Sequence, residues 1–194
     1  MKLILATTSQ YRIEVFTKLG IPFEAERSDV DEYTADRPSE PEALVKYLSR
    51  LKAEAVAKNH TDWMVVGFDS VGVFEGEILE KPKSREEAFA RLQRMAGKNY
   101  SYRTGICVMN LWNGKNLSDS VETKIALRQY SDDEINYYLD HCEEKYKTHA
   151  HGFNPENYYS MSFIESISWE PFNLQWLPVS KIMWMLKEAG YSVI

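Results

Sequence analysis

A chain of 194 residues with 44% hydrophobic and 13% aromatic content can build a proper interior, as one domain or as two small lobes, which excludes disorder. A net charge of −6 without a long basic stripe argues against nucleic-acid binding, yet leaves room for a phosphorylated small molecule, which feels local charge more than the total. No apolar run reaches the length of a membrane span, and the one after Met1 is too short for a signal peptide. Cys107 and Cys142 are far apart, which suits a reducing cytoplasm better than a disulfide scaffold or zinc site.

In chain order, residues 2–6 read as a buried strand, followed by Thr7, Thr8 and Ser9 and then a helix carrying Ile13, Val15, Phe16 and Leu19. Gly20 stands where that helix should end. Ser39-Glu40-Pro41-Glu42 predicts a capping box opening a helix with Leu44, Val45, Tyr47, Leu48, Leu51, Ala55 and Val56. Residues 63–68 read as a second buried strand. Residues 71–74 and 77–79 then flank a hairpin turn at Glu75-Gly76. Ser84-Arg85-Glu86-Glu87 and Ser131-Asp132-Asp133-Glu134 predict two further capping boxes. Between them, strands near 100–110 and 119–129 are joined by a turn at Asn113-Gly114. The stretch 146–162 is irregular, and a last helix runs from about Val179 to Ala189. The class is mixed α/β.

Several residues along this pattern carry chemistry. A strand that turns through hydroxyl residues into a helix presents free N–H groups and the positive end of a dipole, an anion site. Arg12, three residues after Ser9, can fork onto the same anion, or else Ser9 merely caps and Arg12 is solvated. Asp69 follows the strand 63–68, where a carboxylate can ligate Mg²⁺ or take a proton from water, or serve as a turn aspartate. Lys52 borders the apolar face of its helix and can neutralise an anion or reach for solvent. Lys81 precedes a stiffening proline. Asp29, Asp31 and Glu32 form an acidic cluster that reads as a divalent-cation site or as solvated loop charge. His149 and His151 stand two apart on an irregular segment, a spacing that gives little support to metal binding. Basic residues for phosphate and carboxylates for metal and water make a minimal kit for metal-assisted hydrolysis of a phosphoanhydride.

The order and spacing of these segments resemble the Maf family of nucleoside triphosphate pyrophosphatases over nearly the whole chain, read as a single domain, 1–194. Leu3-Ile-Leu-Ala-Thr-Thr-Ser-Gln-Tyr-Arg12 is similar to the family's opening Ser-x-x-Arg motif, Asp29-Val-Asp-Glu32 to its acidic segment, and Leu51-Lys-Ala53 to its helix lysine. Gly67-Phe-Asp-Ser70, Gly76-Glu-Ile-Leu-Glu-Lys-Pro82 and Asn173-Leu-Gln-Trp-Leu-Pro178 resemble three further motifs of the family in order. The resemblance implies a Maf/ITPase-like α/β fold: an extended mixed sheet with flanking helices and two lobes around a central cleft, in a cytoplasmic homodimer. It implies conversion of a nucleoside triphosphate to monophosphate and pyrophosphate with Mg²⁺ or Mn²⁺. By position, Asp69 is the proton acceptor and, with Glu32, holds metal. Ser9, Arg12, Lys52 and Lys81 bind phosphates, and both lysines share in catalysis with Asp69 and Glu32.

Substrate choice in the family follows the residue before the motif arginine, the one after the aspartate, and a late-loop Gln or Glu. Those positions correspond here to Tyr11, Ser70 and Asn157, with Glu156 as an alternative to the last. Members acting on thymidine or uridine triphosphate carry Arg, Thr and Gln; those acting on 7-methylguanosine triphosphate carry Trp, Gln and Glu. This chain matches neither set. Tyr11 is closer to the aromatic type, Ser70 to the hydroxyl type. Where the family has Gly-Ala-Tyr-Gly-Ile-Gln-Gly, this chain has Gly152-Phe-Asn-Pro-Glu-Asn-Tyr158, which implies a remodelled base pocket or a faded homologue that binds nucleotide or a partner. The family's association with septum formation has no independent support in these residues.

Overall fold

The structure, a computed structural model, describes residues 1–154, 157–175 and 177–192. Its elements follow in the order β1 (Leu3–Ala6), α1 (Gln10–Lys18), β2 (Glu24–Glu26), α2 (Pro41–Ala57), β3 (Met64–Phe74), β4 (Glu77–Leu79), α3 (Arg85–Met95), β5 (Asn99–Asn110) and β6 (Lys115–Leu127). After these come α4 (Asp132–His141), a 3-10 turn (Lys145–Thr148), α5 (Tyr158–Met161), β7 (Ile164–Ser168), α6 (Pro171–Gln175) and α7 (Val179–Glu188). Among the described residues seven strands form one mixed sheet in the order β2-β1-β3-β5-β6-β7, with β4 paired to β3. β1 runs parallel to β2 and β3, as the intervening helices require, whereas β3/β4 and β6/β7 are antiparallel. The mixed α/β class is as read from the sequence.

The chain divides into two compact units, each with its own core. The first holds residues 1–70, 103–121 and the stretch from 177 onward. In β1, β3 and β5 both faces are buried, and their alternation sorts the core into two layers. Leu3, Leu5, Met64, Val66, Phe68, Ile106 and Val108 face α1 and α7. Ile4, Ala6, Val65, Cys107 and Met109 face α2. Gly67 and Gly105 let α2 lie almost on the strands: a Cβ on Gly67 would stand 2.1 Å from the Ser49 carbonyl oxygen, and one on Gly105 2.1 Å from that of Val45. The second unit holds Val71–Tyr102 and Glu122–Gln175, and its core is aromatic, with Phe74, Tyr100, Tyr138, Phe153 and Phe163 fully or nearly buried beside α3 and α4.

Local chemistry explains where expectation and structure part. The 63–68 and 71–74 segments are one strand. Asp69 therefore lies in mid-strand, neither at a strand end nor in a turn, because Val71 to Phe74 continue the pattern without a turn residue between. The helix expected to start at Ser39 is capped by Glu40, whose carboxylate accepts the Glu42 and Ala43 amides at 3.0 and 2.7 Å. Pro41 decides this, since its fixed φ suits the first helical position and holds Glu40 extended. Ser84 does accept the Glu87 amide, but the Glu87 carboxylate takes the Lys83 amide, so the box there is half formed; at Ser131 it is complete. β6 begins at Lys115 rather than near 119, the stretch read as irregular over 146–162 contains α5, and the short β2, β7 and α6 were not expected. Glu75 and Gly76 both have positive φ, as a tight two-residue hairpin requires.

Candidate active site

The site grows from the pleat of β3. Val65, Gly67 and Asp69 point to the α2 side, whereas Phe68 and Ser70 point to the α1 side. On α2 the inward face runs through Val45, Leu48, Ser49, Ala53 and Val56, not through Leu51 and Ala55, since Ser49 and Ala53 fit against Gly67. Lys52 stands within that face rather than at its border.

Lys52 Nζ meets Asp69 Oδ1 at 2.7 Å and Glu32 Oε1 at 2.8 Å. Asp69 is only 8% exposed, while the Glu32 side chain is 43% exposed, so one carboxylate is sunk and the other reaches in from a loop. Burial raises the Asp69 carboxyl above its ordinary range; the Lys52 ammonium and the Arg12 guanidinium oppose that rise, and Glu32 adds to it. A buried carboxylate with a raised pKa and a partner that fixes its geometry is the form a general base takes.

On the other side of the strand, Arg12 from the first turn of α1 donates Nη1 to the Phe68 carbonyl oxygen at 3.2 Å and Nη2 to Ser70 Oγ at 3.1 Å. Ser70 Oγ in turn lies 2.8 Å from Thr104 Oγ1 of β5. Ser9 is the N-cap residue of α1 but makes no side-chain cap bond; its amide donates to Thr7 Oγ1 at 3.1 Å. The capping alternative for the Ser9 hydroxyl therefore falls away. Tyr11 follows on the same turn, half-buried.

The acidic loop does not assemble as the expected triple cation site. Asp29 Oδ1 pairs with Arg27 at 2.6 Å, Asp31 Oδ1 accepts the Tyr33 amide at 2.9 Å, and Glu32 alone reaches Lys52. Among the described residues no three His, Cys, Asp or Glu side chains are grouped to hold a metal. Asp69 and Glu32 do converge on one cation, the Lys52 ammonium. Two carboxylates are what Mg²⁺ commonly takes from a protein when phosphate oxygens and water complete its shell. The donor set fits such an ion.

Residues 2–189 match the model of the Maf family, described as Maf-like protein. The chain belongs to the Maf family. It is 35% identical over 188 residues to a dTTP/UTP pyrophosphatase of Thermoanaerobacter sp. (strain X514), covering 96% of each chain. It is 34% identical over 195 residues to a 7-methyl-GTP pyrophosphatase of Aromatoleum aromaticum (strain DSM 19018 / LMG 30748 / EbN1), covering 97% of this chain and 96% of the relative. Among solved structures it is similar to the Ham1 protein of Staphylococcus aureus, at 16% identity and a TM-score of 0.48, over 66% of this chain and 72% of that one.

The remaining expected positions of this Maf chain lie in the second unit. Lys81 is exposed after β4 with Pro82 buried beneath it, and its charge, after burial, helps lower His149 to about 4. Asn157 caps α5, its Oδ1 accepting the Tyr159 and Ser160 amides at 3.0 and 3.2 Å. Glu156 lies outside the described residues. Asn173 is fully buried and donates Nδ2 to Thr123 Oγ1 at 3.1 Å, which makes it a structural tie of the second unit. Thr104 was missed from sequence. Its signal was a hydroxyl at a position whose alternation, shared with Ile106 and Val108, calls for an apolar residue.

Proposed function

We propose that this Maf chain hydrolyses a nucleoside triphosphate to the monophosphate and pyrophosphate. The observation that carries the reading is Asp69: buried, raised in pKa, tied to Lys52 and flanked by the Arg12 guanidinium, which reaches from α1 to hydrogen-bond the same strand. In this reading Asp69 takes the proton of the water that attacks a phosphate. Arg12, Ser9 and the first-turn amides of α1 hold phosphate oxygens, and Lys52 and Lys81 neutralise charge. A divalent ion, Mg²⁺ or Mn²⁺, held by Asp69 and Glu32, would supply further charge neutralisation on the phosphates.

Relatives of both substrate names stand at nearly equal identity, which leaves the base to this chain's own residues. Tyr11, beside Arg12 on α1, offers an aromatic face suited to a cationic methylated purine. Asn157 is engaged in capping α5, so base selection by its side-chain oxygen would cost two helix-end hydrogen bonds. Two buried free thiols support a reducing, cytoplasmic setting. The exposed Trp112 and Trp184 of the first unit support a homodimer contact.

Pyrophosphate release from a panel of standard and methylated nucleoside triphosphates with Mg²⁺ tests the reading. Release from one or a few bases is expected. No release with either Mg²⁺ or Mn²⁺ from folded protein would overturn it.

A further inference from the structure

Thr104 is fully buried in β5, on the face it shares with Ile106 and Val108, where valine would fill the same volume without a hydroxyl to satisfy. That hydroxyl has a partner in Ser70 Oγ at 2.8 Å. Ser70 Oγ also accepts Arg12 Nη2 at 3.1 Å, while Arg12 Nη1 donates to the Phe68 carbonyl oxygen at 3.2 Å and the guanidinium lies 5.5 Å from the Phe68 ring centre. Both arms of the fork thus land on β3, one on each side of Asp69.

We infer that Ser70 and Thr104 act as a hydroxyl couple that positions Arg12 for substrate phosphate, and that Ser70 does not select the base. The inference rests on the assignment of Arg12 to phosphate. Arginine carries five N–H donors in a planar fork. Two are spent on the strand and fix its plane, so the others are held in that plane as well. A free arginine would lose several rotamers on binding an anion. Anchoring it beforehand removes that cost from the binding step. Ser70 can do this only if its own hydroxyl is oriented, and Thr104, locked by β-branching and burial, supplies the fixed end. With its oxygen between Arg12 and Thr104, Ser70 is committed to the phosphate end of the substrate.

The test compares Thr104→Val, Thr104→Ser, Ser70→Ala and Arg12→Ala. Binding of inorganic tripolyphosphate is measured by calorimetry, and KM and kcat are measured over several nucleoside triphosphates. Thr104→Val is expected to weaken tripolyphosphate binding roughly five- to tenfold, the loss of one hydrogen bond in a charged network. KM should rise by the same factor for every base, with kcat within about twofold, and Thr104→Ser should restore both. Combined with Arg12→Ala, Thr104→Val should add nothing further. Ser70→Ala makes the same test should Thr104→Val lower the melting point. Wild-type tripolyphosphate affinity in both Thr104→Val and Ser70→Ala, alongside a loss in Arg12→Ala, would overturn the positioning role. A Ser70→Ala change confined to one base would return Ser70 to base selection. Unchanged binding in Arg12→Ala would instead bring down the phosphate assignment itself.

Discussion

Two buried sites, one in each unit, treat their polar groups in opposite ways. In the first, Asp69 is buried as a charge and matched: one ammonium serves it and Glu32 together. In the second, His151 is fully buried among Tyr100, Tyr102, His149 and Phe153, with ring centres 4.2 to 5.9 Å away. Among the described residues neither of its ring nitrogens has a hydrogen-bond partner, and the smallest of the effects on its pKa, a rise, comes from the Phe153 backbone. Tyr100 Oη beside it is buried without one too. Burial, with some help from His149 and Arg91, pushes His151 far below its ordinary pKa, so it stays neutral. A site that must move a proton keeps its charge and holds a counter-ion. A nest that only packs gives the charge up. The difference gives acid opposite effects on the two regions.

The largest effect should come from Asp69→Asn. Loss of a general base costs about 10²–10⁴ in rate, so kcat should drop by roughly a thousandfold. The fold should not suffer. A raised carboxyl pKa means that the ionised form disfavours the native state above its ordinary value, and the amide removes that penalty. A melting point equal to or above wild type, with activity gone, is the expected pair of results. A variant that keeps its turnover would remove Asp69 from the mechanism. Lys52→Met comes next. It strands a buried carboxylate, and removing one partner of a buried pair costs about 3 kcal/mol in urea unfolding. The double variant Asp69→Asn/Lys52→Met should recover more than half of that loss. Additive losses would mean that Lys52 stabilises by its stem alone.

How much of this was legible in the chain depends on what each residue answers to. Asp69, Lys52 and Glu32 could be picked out because charges beside apolar runs are conspicuous, and their meeting on one ammonium agrees with the helix and strand periodicity. The inward face of α2 was misplaced by a residue or two because Ser49 and Ala53 look indifferent in sequence. They are buried only because Gly67 removes a Cβ that would otherwise strike the Ser49 carbonyl oxygen. Glu40 displaced Ser39 as cap through the geometry of Pro41, a rule readable in principle from the proline alone. Thr104 could be flagged as an odd hydroxyl, but its partner lies 34 residues away. The same holds for His151, whose surroundings come from β5 and its own loop together.

Acid should separate the two regions directly. Asp69, with its pKa raised, contributes stability that is fully present below its ordinary value and lost as pH rises through the folded one. His149, lowered to about 4 by burial and then by Lys81, does the reverse: its contribution is complete above 6.5 and is lost as pH falls toward 4. His151 adds to the same limb. Amide protection factors, taken relative to the intrinsic exchange rate at each pH, should therefore fall between pH 6.5 and 4 around α3, α4 and residues 149–153 before they do around α2 and β1. A uniform fall across both units would contradict the contrast.

His151→Phe gives the smallest effect, and it tests what the nest is for. Phenylalanine keeps a flat ring against Phe153 and Tyr100 and removes two nitrogens that find no hydrogen-bond partner among the described residues. If the imidazole only packs, the variant should be more stable at pH 7 by about 1 kcal/mol, a shift of some 2–4 °C for a chain of this size. Its acid limb should also flatten, since one of the two depressed histidines is gone. Activity on the preferred triphosphate should hold within about twofold. A variant that is less stable at pH 7 would mean that the ring nitrogens are satisfied in solution, by an ordered water bridging His151 and the Tyr100 hydroxyl, and the nest would then bury matched polar groups just as the Asp69 site does.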